Sequence, residues 1–133
     1  MRRLTVMTLE RRQQPLMARA RLHELAEQMG SEASTRFVRN YLHLWDARYA
    51  RLHAACQGRD HAAAMDVVLS IKTASHMAGA ARLSALAALA QTHLGAYDLA
   101  AVAAMLEDFR SCGEETMRTI SATLGPDGLQ LDG

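Results

Sequence analysis

The sequence predicts an all-α fold, an antiparallel up-down-up-down four-helix bundle with an extra short helix at its amino end. Half of the 133 residues are apolar and only 5 % are aromatic. Alanine and leucine dominate while valine and isoleucine are few, which favours helix over strand. Apolar residues also recur every three or four positions along most of the chain, the period of a helix with one buried face. The stretches between these periodic segments are short, so successive helices must run antiparallel.

Residues 1–15 (MRRLTVMTLERRQQP) have no sustained apolar period and end at Pro15, which can open a helix but not sit inside one. They read as a basic tail. From Leu16 to Met29 a first short helix carries Leu22, Leu25, Ala26 and Met29 on one stripe, with Gly30 as its stop. Ser31 begins a long second helix in which Phe37, Val38, Tyr41, Leu42, Trp45, Tyr49, Leu52 and Cys56 keep the period until Gly58. Asp60 is a natural N-cap for a third helix, which buries Met65, Val68 and Ile71 and runs to Ala78, where Gly79 breaks it. Leu83, Leu86, Leu89, Ala90 and Leu94 define a fourth helix closed by Gly95 at its C′ position. A fifth starts at Tyr97 or Asp98 and continues through Val102, Leu106, Phe109, Ile120 and Leu124 to Gly125-Pro126. Nothing reads as a strand, and residues 125–133 read as a frayed tail, which leaves 16–124 as the bundle.

The cysteines, Cys56 and Cys112, form no CxxC pair, and no secretory apolar region opens the chain. A reducing cytoplasm is the expected home. Charged or polar residues interrupt every apolar run before the roughly 18 residues a membrane span requires. Residues 1–59 carry eleven arginines against five acids, and residues 60–133 four basic groups against nine acids. The arginines are dispersed along helices without interleaved aromatics, a pattern of solvated faces more than of a nucleic-acid surface.

A di-iron bundle would need Glu-x-x-His pairs facing inward, and none of the six histidines has a glutamate three residues before it. HExxH, Cys/His zinc spacings, the GxSxG elbow and glycine-rich phosphate loops are likewise missing. No metal or cofactor is expected, and both cysteines fall on or near apolar stripes as small core residues.

One segment stands apart. Residues 69–83 read Leu-Ser-Ile-Lys-Thr-Ala-Ser-His-Met-Ala-Gly-Ala-Ala-Arg-Leu, and Lys72 is the single lysine among fifteen basic residues. The segment resembles the signature of histidine-containing phosphotransfer (HPt) domains, the relay modules of two-component signalling. Their pattern runs His-x-Leu-Lys-Gly-Ser/Ala-Ser, then after three residues Gly-Ala, then Leu three further on. Ile71, Lys72, Ala74, Ser75, Gly79, Ala80 and Leu83 fall on it. The resemblance extends over residues 16–124 through the order of helices and the Gly58-Arg59-Asp60 turn before the motif helix.

Two positions depart from the pattern. Leu69 stands where the family has its phosphorylated histidine, and leucine has no nitrogen to accept a phosphoryl group. Thr73 replaces the glycine that lets a partner approach. At about 100° per residue, Leu69, Lys72, Thr73 and His76 share one helix face, which in the family meets the receiver domain. A helix rotated from the family arrangement would bury Leu69 instead.

The resemblance thus implies a non-enzymatic docking module for a response-regulator receiver or a histidine kinase, contacted through Leu69, Lys72, Thr73 and His76. A phosphotransfer protein using His76 as a shifted acceptor, and a structural or oligomerisation bundle, are the alternatives.

Overall fold

A computed structural model describes residues 14–131. Of the stretch read as a basic tail, residues 1–13 therefore lie outside the described residues, as do residues 132–133. The fold is all-α apart from one minimal hairpin. Its helices are α1 (Arg19–Met29), α2 (Ser31–Gln57), α3 (His61–Met77), α4 (Ala81–Gly95), α5 (Leu99–Ala103) and α6 (Leu106–Ser121). Among the described residues no helix is long and apolar enough to cross a membrane.

Helix ends follow local chemistry. Gly30 adopts φ 85°, ending α1 and starting α2 in a single residue, and such backbone suits a residue without Cβ. The Asp60 carboxylate accepts the Ala63 N–H at 3.0 Å and Asp98 accepts from Ala101 at 3.0 Å, so each satisfies an orphan donor at the start of its helix. The left-handed residues after α2 and α4 are Arg59 (φ 52°) and Tyr97 (φ 56°), not Gly58 and Gly95 as the glycine pattern suggests.

The expected fifth helix is interrupted. Ala104 and Met105 keep right-handed helical angles, but the Met105 N–H bonds back only three residues, to Val102 O at 2.9 Å. The result is α5 and α6 with a break between them. No glycine or proline marks the place.

α3 and α4 form the most extensive helix pair; α2 packs on α1, α3, α5 and α6, and α4 also packs on α5 and α6. The periodic residues Leu22, Val38, Leu52, Val68, Ile71, Leu83, Leu94, Phe109 and Ile120 are all essentially inaccessible. Between α2 and α6 the fit depends on Gly113. It lies buried against Trp45, and a Cβ added there would overlap the indole ring.

The stretch read as a frayed tail, and as strand-free, is structured in part. Leu124–Gly125 pairs antiparallel with Gly128–Leu129. Thr35 on α2 holds this hairpin by accepting the Leu129 N–H at 3.2 Å, while its own hydroxyl donates to Ser31 O at 2.7 Å. Gly128, at φ 109°, brings its backbone against Thr35 where a side chain would collide.

Gly113→Ala is expected to lower stability by about 1–3 kcal/mol through overpacking against Trp45. Gly95→Ala, which meets nothing within 4 Å and has no positive φ, should instead be neutral or stabilise by about 0.4–1 kcal/mol. Urea unfolding of the two variants checks the contrast; equal effects would contradict the packing argument.

Candidate functional site

The candidate site lies on the outer face of α3, and its orientation follows from what the opposite face buries. Ala64, Val67, Val68, Ile71 and Ser75 point into the core. On the same helix Leu69, Thr73, His76 and Met77 are exposed, and Lys72 is half-buried at the edge facing α4. The structure brings all four sequence-predicted residues onto one accessible strip, and Leu69, at 39 % exposure, is not turned into the core.

Polar contacts on both flanks set the rotation of α3. Toward α2, the Tyr41 hydroxyl and Ser75 Oγ lie 2.7 Å apart in a buried hydrogen bond, and Arg48 Nε donates to Ser70 Oγ at 3.1 Å. Arg51 pairs with Asp66 at 2.9 Å further toward the N-terminus. Toward α4, Lys72 Nζ donates to Gln91 Oε1 at 2.8 Å, and the Ser84 hydroxyl donates to Lys72 O at 3.3 Å. Turning the helix by one residue would break these contacts together.

Gln91 is a neutral partner. It orients the Lys72 ammonium while leaving its charge uncompensated, since the described residues provide Lys72 no ion pair. A positive charge beside the apolar Leu69 can attract an acidic pocket without performing chemistry itself. His76 has no hydrogen-bond partner for its ring among the described residues, and Gly79 stands three residues later, where a phospho-accepting histidine of the family pattern would have its lysine. Those residues also hold no group of three His, Cys, Asp or Glu able to bind a metal ion.

Sequence reasoning missed Gln91 and Met77. Met77 was visible as the next residue of the same helix; Gln91 lies nineteen positions from Lys72 and becomes its partner only once α3 and α4 pair.

Burial governs the ionisation of groups around the site. It pushes the Tyr41 phenol well above its usual range, and the Ser75 hydrogen bond and the Arg48 charge offset this only in part. It also raises the thiols of Cys56 and Cys112, the latter against a weak opposing contact with Thr116. The Arg48 guanidinium is lowered, again by burial first, and its Nη1 is buried without a hydrogen-bond partner.

The chain matches no known protein family, no curated protein and no solved structure at a significant level.

Tyr41→Phe should cost about 1–3 kcal/mol by leaving the Ser75 hydroxyl buried and unpaired, whereas Tyr41→Phe/Ser75→Ala should cost clearly less than the two single changes added together. A double-mutant cycle from denaturant unfolding reads this, and strict additivity would remove the bond from the account. A pH dependence follows from the same burial. Tyr41, Cys56 and Cys112 stay neutral in the folded chain at pH values where the unfolded chain already ionises. Their contribution is therefore complete below the unfolded thiol value of about 8.5 and is lost as pH rises above it. The urea midpoint should fall between pH 8 and pH 10.5, roughly the window those unfolded values define, and less steeply in Tyr41→Phe. A flat midpoint would contradict it.

Proposed function

We propose that this chain is an HPt-like signalling module that docks on a response-regulator receiver domain or a histidine kinase without accepting phosphate. In this reading α2, α3, α4 and the interrupted α5–α6 pair form the antiparallel up-down-up-down four-helix bundle of such domains, with α1 across one end. The observation that carries the proposal is the strip on α3: Leu69 exposed at the acceptor position, and Lys72 held beside it by a neutral glutamine with its charge uncompensated.

The chemistry argues for docking over transfer. A receiver domain's phosphorylation site is an acidic pocket, to which Lys72 offers an attractive charge. Leu69 and Met77, both more than a third exposed, provide apolar area around it. No nucleophile occupies position 69, and Thr73 narrows the approach that a glycine would leave open. The module would hold its partner's surface, competing with a true phosphotransfer protein or serving as an adaptor, in the cytoplasm where such relays operate.

Titration against the full set of the host's receiver domains and kinases should find at least one weak binder, with affinity lowered about tenfold or more by Lys72→Glu, equivalent to about 1.4 kcal/mol. A complete panel with no Lys72-dependent binding sinks the proposal. Leu69→His combined with Thr73→Gly should gain an acid-labile phosphoryl label from a charged receiver, while the unaltered chain gains none. Label on the unaltered chain that disappears in His76→Ala would replace docking by relay through His76.

A further inference from the structure

α4 differs from its neighbours in how it begins. Asp60 and Asp98 cap α3 and α5 with their own side chains, whereas Ala80, at the equivalent place before α4, supplies no side-chain cap. The orphan donor is satisfied from far away in sequence. Arg82 N–H donates to Pro15 O at 2.8 Å, and the same arginine's Nε donates to Gln14 O at 2.8 Å. Ala18 N–H in turn donates to Gly79 O at 2.6 Å. Gly79 permits this approach twice over: it holds φ 77°, and a Cβ there would lie 2.7 Å from Ala18 O.

We infer that residues 14–18 form a detachable strap that caps α4 from outside and keeps the α3–α4 joint closed. None of the five is buried: Gln14 and Pro15 are exposed and Leu16, Met17 and Ala18 are half-buried. The strap is held by these edge hydrogen bonds and by Met17, which packs half-buried against the core, and is the kind of segment that opens locally at less cost than the whole fold. When it lifts, Arg82 N–H loses its partner, Gly79 O keeps only the Ala81 N–H at 2.9 Å, and the first turn of α4 frays. The disturbance reaches the docking strip through two further bonds. Ala80 N–H donates to Ser75 O at 2.8 Å and Gly79 N–H to His76 O at 3.2 Å, so the last turn of α3, with His76 and Met77, is tied off by the joint the strap covers. The consequence for partner binding rests on the function proposed above; the strap itself does not.

Native-state amide hydrogen exchange on the full chain tests this without any partner. In Ala18→Pro, which removes the donor to Gly79 O, the Arg82 and Ala80 amides should exchange about tenfold faster, the loss expected for one capping bond. Ile71 and Leu86, in the middles of α3 and α4, should keep their rates. Arg82→Ala, which deletes the side-chain bond to Gln14 O and keeps the backbone bond to Pro15 O, should accelerate the Ala80 amide in the same direction by less. Unchanged Ala80 and Arg82 protection in Ala18→Pro would overturn the strap. So would equal acceleration at all four sites, which would make residues 14–18 part of the global folding unit. Neither result bears on receiver binding, so the two proposals fail separately.

Discussion

The three-residue joint at Ala78-Gly79-Ala80 is the constraint on which the arrangement around the site depends. α3 ends at Met77 and α4 begins at Ala81, so the chain must reverse within a space that leaves no room for a side chain at 79. Gly79 meets that demand with its positive φ, and Ala78 and Ala80 are fully buried on either side. A reversal this short leaves the two helices packed along their length, in the most extensive contact of the fold. The pairing brings Gln91 to Lys72 and Ser84 to the Lys72 carbonyl. The geometry of the strip is a consequence of the turn that follows it.

Pairing sets the distance between α3 and α4, but not by itself which side of α3 faces out. That choice is made by the apolar residues together with one buried polar bond. Val68 and Ile71 are inaccessible, and Leu69 lies between them in sequence, so hydrophobicity alone would tolerate a rotation that buries the leucine as well. The Tyr41–Ser75 bond discriminates between the two settings. A rotated helix would leave a phenol or a hydroxyl buried without a partner, which costs more than exposing part of one leucine. Arg48 to Ser70 acts in the same sense from the same neighbouring helix.

Much of this was legible in the sequence because helices announce themselves locally. The cap at Asp60, the stops at Gly30 and Gly79 and the face containing Leu69, Lys72, Thr73 and His76 follow from spacing and side-chain chemistry within a few residues. What was not legible depends on partners distant in sequence. Gly113 reads as a weak point in a helix until Trp45, on another helix, is placed against it. The hairpin at 124–129 has no alternating pattern because it is two residues wide and docks through a single threonine. The break at Ala104–Met105 lies in a run of good helix formers, with no local residue to signal it. Arg59 and Tyr97 take the left-handed positions one and two residues beyond the glycines, so composition located those turns and misassigned their geometry.

A single exposed leucine on a folded domain needs no explanation, and Leu69 would carry little weight alone. Its context gives it weight. Of the large apolar residues exposed among those described, Leu69 and Met77 share α3, flanking Thr73 and His76 and bordered by Lys72. The bond to Gln91 matters here because of what the partner is. A carboxylate at position 91 would hold the ammonium equally well but would cancel its field, and the strip would become a self-contained ion pair with little to offer an acidic surface. A glutamine restricts the side chain's motion, lowering the entropy lost on binding, and leaves the charge for whatever approaches. Apolar area, a positioned cation and no nucleophile at position 69 are together suited to holding a partner, which is why the proposed role is recognition without transfer.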